Sequence, residues 1–204
     1  MSYANVFELT KCLQDCLEYC RQHPDRGHSQ FHESLIRNAK EELEQSTDKA
    51  NQEFTEWRME SRDDKLAWKH LAAKLASIQK QLDAVNAIGF LDQKVMYWNR
   101  PNLVAAVDKM ILYLRERTDD IEFAADEADA LERQKQKAQS EDNEADRALD
   151  DYIRFSKLRS DGLTNAKETI ANFRKALRRD LTIRSAEYQA IRWPQQVAPD
   201  ERVL

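Results

Sequence analysis

Apolar positions between Ile36 and Val85 fall on a seven-residue beat. Its first position reads Ile36, Leu43, Ala50, Trp57, Asp64, Leu71, Ile78 and Val85, and the position four later reads Lys40, Thr47, Phe54, Ser61, Trp68, Leu75 and Leu82. Steps of three and four keep one helix face turned towards a partner, and a sustained heptad implies left-handed supercoiling. No Gly or Pro lies between Gly27 and Gly89, so one helix of up to ~60 residues, on the order of 90 Å long, is allowed.

The breakers mark where helices should stop. They cluster at Pro24–Gly27, at Gly89 and Pro101, at Ser160-Asp161-Gly162 and at Pro194, which is how helix boundaries read. Four helices are expected, over about 3–22, 29–98, 102–159 and 163–193, with a flexible tail over 194–204. The first carries Val6, Leu9, Leu13, Cys16 and Cys20 on one stripe. Ser29, with Glu33 in the first turn, reads as the cap of the second, and Asn165 followed by Glu168 as a capping box for the fourth. The stretch 89–99 reads as continued helix past a kink, with an aromatic end cap as the competing form. In the third helix the apolar signal thins after Ala125, and a helix–loop–helix break near Gln139–Asn143 competes with one continuous helix. The fold class is therefore all-α: a single elongated antiparallel bundle or coiled coil of about four helices over residues 1–193, one of them very long.

Composition sharpens this picture. Only three Gly occur in 204 residues, where average usage would give about fourteen. Tight turns and phosphate-cradling loops need Gly, so few can form. Charged residues make up 34% and apolar ones 41%, which suits helices that each bury one narrow stripe. The net charge of −5 argues against a dedicated nucleic-acid binder, whose affinity rests on neutralising phosphates. It argues less against a membrane surface, which a local basic face could still engage. No stretch is long and apolar enough to cross a bilayer, and no basic region followed by an apolar core opens the chain, so no secretory signal is expected. The odd cysteine count points to reduced thiols in a cytoplasmic protein. Export by a route without a cleaved signal stays open.

Cys12, Cys16 and Cys20, with His23 just beyond them, are the sharpest local cluster. A spacing of four stacks three sulfurs on one helix face, where thiolates could bind Cu(I) or Zn(II). The plainer reading is that they are small apolar members of the stripe shared with Leu9 and Leu13. Structural zinc takes ligand pairs from two loops, unlike this row. Di-iron bundles need Glu-x-x-His pairs, and the residues three before the histidines are Cys20, Asp25, Ser29 and Ala67, so that motif is absent. No HExxH, GxSxG, GxxxxGK[ST] or GxGxxG occurs either. No cofactor is expected, and the chain reads as non-enzymatic.

Two features suggest partners. Trp57, Trp68, Leu71 and Leu75 present a longer ridge than a twenty-residue first helix can cover, which predicts a homo-oligomer or hetero-complex through the seam. Residues 119–151 hold thirteen acidic residues against four basic ones, while Arg174, Lys175, Arg178, Arg179, Arg184 and Arg192 make the C-terminal helix basic. Arg178 and Arg179 are candidate partner contacts within a basic stretch that could meet a lipid or nucleic-acid surface, while pairing between the two stretches of this chain is the favoured reading. The expected function is that of an interaction scaffold, adaptor or assembly subunit with protein partners. A membrane-associated helical protein is second, and a metal-binding bundle third.

Overall fold

The computed structural model describes residues 3–85 and 99–194. Among them the chain is all-α, a helical bundle with no strand. The helices are α1 Tyr3–Gln22, α2 Gly27–Ala84, α3 Arg100–Arg115, α4 Ala124–Asp180 and the short α5 Ala186–Ala190. Two dominate, α2 with 58 residues and α4 with 57.

α1 keeps the expected bounds. α2 starts two residues early, because the Arg26 carbonyl accepts from both Ser29 N and Gln30 N and so makes Arg26 the cap. Ser29 is no cap: it lies inside the first turn, 1% exposed. The expected helix beyond Val85, and with it the 89–98 stretch, lies outside the described residues. α3 begins at Arg100, where Asn99 Oδ1 accepts from Asn102 N at 3.0 Å. Pro101 fits the first turn, whose N–H groups have no helical acceptor.

The larger departures come later. The third helix stops at Arg115, and turns through residues 116–123 bond Arg117 N to Leu114 O and Ile121 N to Arg117 O. This break contains no Gly or Pro. Thr118, Asp119 and Asp120 supply it, since short polar side chains compete for the backbone. α4 then runs unbroken through 139–143 and through Gly162. A Cβ on Gly162 would stand 3.0 Å from Ser46 Oγ and 3.6 Å from Leu43 Cα. Gly162 therefore marks close helix approach, not a helix end. Asn165 sits mid-helix, its Nδ2 donating to Glu42 Oε2 at 2.6 Å. The fourth helix does not reach residue 193: α4 ends at Asp180, and Ser185 caps α5 by accepting from Tyr188 N at 3.3 Å.

The chain clusters into two compact units. The first comprises Met1–Glu53 with Tyr152–Leu204, the second Phe54–Asp151. In the first, α2 and α4 are antiparallel: His28 meets Asp180 and Glu42 meets Asn165. α1 closes a core of Cys12, Leu13, Cys16, Ile36, Leu43 and Phe173, all 0% exposed. In the second unit Arg100, at the start of α3, bonds both Asp64 of α2 and Asp142 of α4. At the other end Lys74 of α2 pairs with Glu127 of α4. α3 thus runs parallel to α2, and α4 runs antiparallel to both. Leu71, Leu75, Ile78, Leu82, Met110, Leu114 and Leu131 form the core, each 0% exposed. Full burial of each such side chain is worth about 1.5–3 kcal/mol.

Candidate interaction surface

The expected ridge is not free. Leu71 and Leu75 are fully buried, and Trp68 is 8% exposed, because α3 and α4 close over that part of α2 within the second unit. These three are core, which corrects their assignment to a partner surface. Trp57 alone stays half-buried. Asp64, the charge in the seam, is 4% exposed. Arg100 neutralises it, and the same guanidinium lies 5.2 Å from the Trp68 ring centroid. A buried carboxylate is tolerable when a cation bonds it directly.

The cysteine row is core as well. Cys12, Cys16 and Cys20 are buried free thiols among Leu9, Leu13 and Ile36. Burial, with the neighbouring Cys12 thiol, pushes Cys16 well above the usual thiol range. Burial also pushes Cys20 up to about 11. Thiolates are the metal-binding and nucleophilic form, so both stay protonated at neutral pH. His23 packs on Tyr19 at a centroid distance of 4.6 Å with the rings tilted by 42°, and among the described residues it joins no cluster of cysteine ligand atoms. Among the described residues the His, Cys, Asp and Glu ligand atoms gather in one place only, Glu60, Glu141 and Glu144 of the second unit. Burial, then the charges of Glu144, Asp63 and Glu141, raises the Glu60 carboxyl above the ordinary range.

The basic C-terminal stretch is largely used within the first unit. Arg174 Nε and Arg178 Nε donate to the Tyr188 hydroxyl at 2.7 and 3.1 Å. Burial alone would raise Tyr188, but the two guanidinium bonds outweigh it and lower its pKa. Arg192 donates to both Asp15 carboxylate oxygens, at 3.0 and 3.2 Å. The partner for this stretch is thus α5 and α1, where the sequence suggests the acidic belt. Arg179 is exposed in the last turn of α4, where the helix dipole favours a cation.

A basic stripe on α2 is a further charged surface, and its residues are not among those the sequence analysis singles out. Arg58, Arg62, Lys65 and Lys69 stand at i, i+4, i+7 and i+11 on α2, all exposed. That spacing makes one straight stripe beside the buried seam. Phe54, Trp57, Ser61 and Leu66 line the same shallow groove, with Phe54 38% and Leu66 40% exposed. Arg58 lies 5.8 Å from the Phe54 ring centroid. Among the described residues none of the four cations forms an ion pair; Lys74, Arg100, Arg115 and Lys135 of the same unit do, while Lys80, Lys109, Arg133, Lys137 and Arg147 do not, so it is the alignment of the four beside aromatic groups that sets the stripe apart. Cationic side chains interleaved with exposed aromatic and aliphatic groups make a surface for an anionic, partly apolar partner.

No described helix is long and apolar enough to cross a membrane. No family model, no curated protein and no solved structure matches this chain.

Proposed function

We propose that this chain is a non-enzymatic helical interaction protein, an adaptor or assembly subunit, that engages its partner through the stripe on α2. The observation that carries the reading is the row Arg58, Arg62, Lys65 and Lys69, exposed and without ion pairs among the described residues, beside Phe54, Trp57 and Leu66. Opposite charge on a partner would steer encounter and fix register, and the aromatic groups would supply desolvated contact. The absence of Gly-rich loops and of nucleophile or metal-hydrolase motifs from the sequence supports the non-enzymatic part of the reading. A cytoplasmic setting suits three free cysteines.

The test is a photo-crosslinking side chain in place of Lys65, expressed in the native host, with the same group in place of the exposed Lys109 on α3 as control. A defined protein adduct from position 65, lost when Arg58 and Arg62 become Glu, is the expected result. No adduct from position 65, or equal adducts from both positions, would refute the reading.

A further inference from the structure

We infer that the end of the first unit, where α1 turns into α2, is an acid-sensitive latch. It stays shut while the His32 ring is neutral and opens when that ring takes up a proton. The inference is independent of the α2 stripe. Three of the four histidines, His23, His28 and His32, gather at this end. His28 and His32 stand one turn apart on α2. Both meet the Phe173 ring of α4 edge-on, at centroid distances of 6.3 and 5.5 Å.

The two rings differ in what a proton would meet. His28 is a link in a directed chain of hydrogen bonds. Its Nδ1 donates to Asp180 Oδ2 at 2.6 Å, so in the neutral ring Nε2 accepts from the Tyr19 hydroxyl at 3.3 Å. Tyr19 in turn accepts from Arg26 at 2.8 Å. A positive charge on His28 would face the Asp180 carboxylate. His32 has no such partner. It is 9% exposed, and its Nδ1 is buried without a hydrogen bond. The neutral ring suits this site, with a lone pair on Nδ1. Protonation would put an N–H there with nothing to accept it, on a ring that packs against Phe31 and Phe173. A buried donor without an acceptor opposes the closed form.

The charged and titratable groups around this end are engaged elsewhere. On α1, Tyr19 is taken by Arg26 and His28, and burial keeps Cys20 protonated. His23 packs on Tyr19. Arg26 also pairs with Glu187 of α5, Asp180 of α4 with His28, and Glu33 of α2 with Arg37. Arg174 and Arg178 of α4 bond Tyr188 of α5. None of them gives His32 Nδ1 an acceptor. Burial, and then the charge of His28, hold His32 below the ordinary histidine range. The open form therefore binds the proton more readily. Closure weakens as pH falls below about 6.5, by up to about tenfold at pH 5.5. What parts is the cover of the ring: the last turns of α1, the turn after it and the first turns of α2. Opening near helix ends costs less than opening the middle of a bundle.

Hydrogen exchange on the full-length chain, resolved by mass spectrometry at pH 7.5 and 5.5, tests the latch. Each peptide is referred to the same peptide of the urea-unfolded chain at the same pH, which removes the intrinsic pH dependence of exchange. Protection over residues 15–33 should fall about five- to tenfold on acidification, while residues 36–50 of α2 keep theirs. His32→Leu and His32→Gln, checked for helix content by circular dichroism, should each flatten the response, because neither side chain can charge. In an NMR titration of the wild type, the His32 imidazole should titrate below the ordinary histidine value.

Unchanged protection at pH 5.5, or a loss spread evenly over the first unit, would overturn the inference. So would a response that persists in a folded His32 variant, or a His32 ring that titrates at or above the ordinary value. Should neither variant fold, the wild-type titration and exchange profile decide.

Discussion

Replacing Gly162 by Ala adds one methyl group where α2 and α4 approach each other within the first unit. Two effects of similar size oppose. Ala in place of Gly inside a helix gains roughly 1 kcal/mol from the entropy that Gly loses on folding. Against that, the new Cβ would lie 3.0 Å from Ser46 Oγ, closer than such atoms rest. Ser46 Oγ donates to Leu43 O at 3.2 Å. Moving it aside gives up that bond, at about 0.5–1.5 kcal/mol, or tilts the side chain off its rotamer at a similar cost. The single substitution should therefore leave stability within about 0.5 kcal/mol of wild type. Ser46→Ala removes the obstructing oxygen, so in that background Gly162→Ala should stabilise by about 1 kcal/mol. Gly162→Leu sends further atoms towards Leu43 Cα and Glu42 O, which lie 3.6 and 3.7 Å from the Cβ position. Overpacking against backbone should destabilise by about 1–3 kcal/mol. Urea unfolding followed by far-ultraviolet circular dichroism reads wild type and the four variants, with an unchanged m-value as the check on a common transition. If Gly162→Ala still destabilises in the Ser46→Ala background, the obstacle is the α2 backbone and the argument from the hydroxyl fails.

Arg100→Met should destabilise by about 3–5 kcal/mol, because it strips the cation from buried Asp64. Asp64→Asn added to it should recover part of the loss, and an unchanged midpoint in urea for the single variant would refute the pairing. Asp15 is held low although burial raises it, because hydrogen bonds and charge from Arg192 outweigh burial. A depressed carboxyl stabilises above its unfolded pKa and loses that contribution as pH falls through the folded one. Arg192→Ala should therefore lower the melting temperature only slightly near pH 7, because the pair is solvent-screened, with the difference closing on acidification in a pH series of melts. Glu60 has the opposite sign, its carboxyl raised by burial and by Glu144, Asp63 and Glu141. Glu60→Gln should raise the melting temperature at neutral pH, and the gain should vanish as pH falls below the carboxylate range. Cys16→Ala should cost about 1 kcal/mol for the volume removed, and the three thiols should react with a thiol reagent only as the chain unfolds.

Much of the fold was legible because helix formation here is a local matter. The gap between Gly27 and Gly89 and the heptad through Ile36, Leu43, Leu71 and Ile78 specify α2, and Pro24 and Pro101 mark real boundaries. The break at 116–123 was hidden, since propensities there differ by only tenths of a kcal/mol and no breaker is present. Gly162 misled for the converse reason. A glycine can end a helix or admit a neighbouring one, and only the residue opposite, Ser46, decides which. The candidate surface was legible in part. The spacing of Arg58, Arg62, Lys65 and Lys69 is plain in the sequence, but its exposure depends on which flank of α2 the other helices cover.

Residue pattern alone requires this protein to be all-α, with a longest helix that buries one narrow stripe. Scarce glycine and a 3–4 repeat permit little else. Tertiary structure decided what each stripe position does. Leu71 and Leu75 became core and Trp57 stayed half-exposed because α3 begins beside Asp64 and Trp68, and a heptad cannot say where its covering helix starts. It also decided that Cys12, Cys16 and Cys20 are buried thiols and that Arg174, Arg178 and Arg192 turn inward to Tyr188 and Asp15. Charge and periodicity list the groups that can pair. Which groups do pair depends on distances between residues far apart in the chain, and those exist only once the helices have packed.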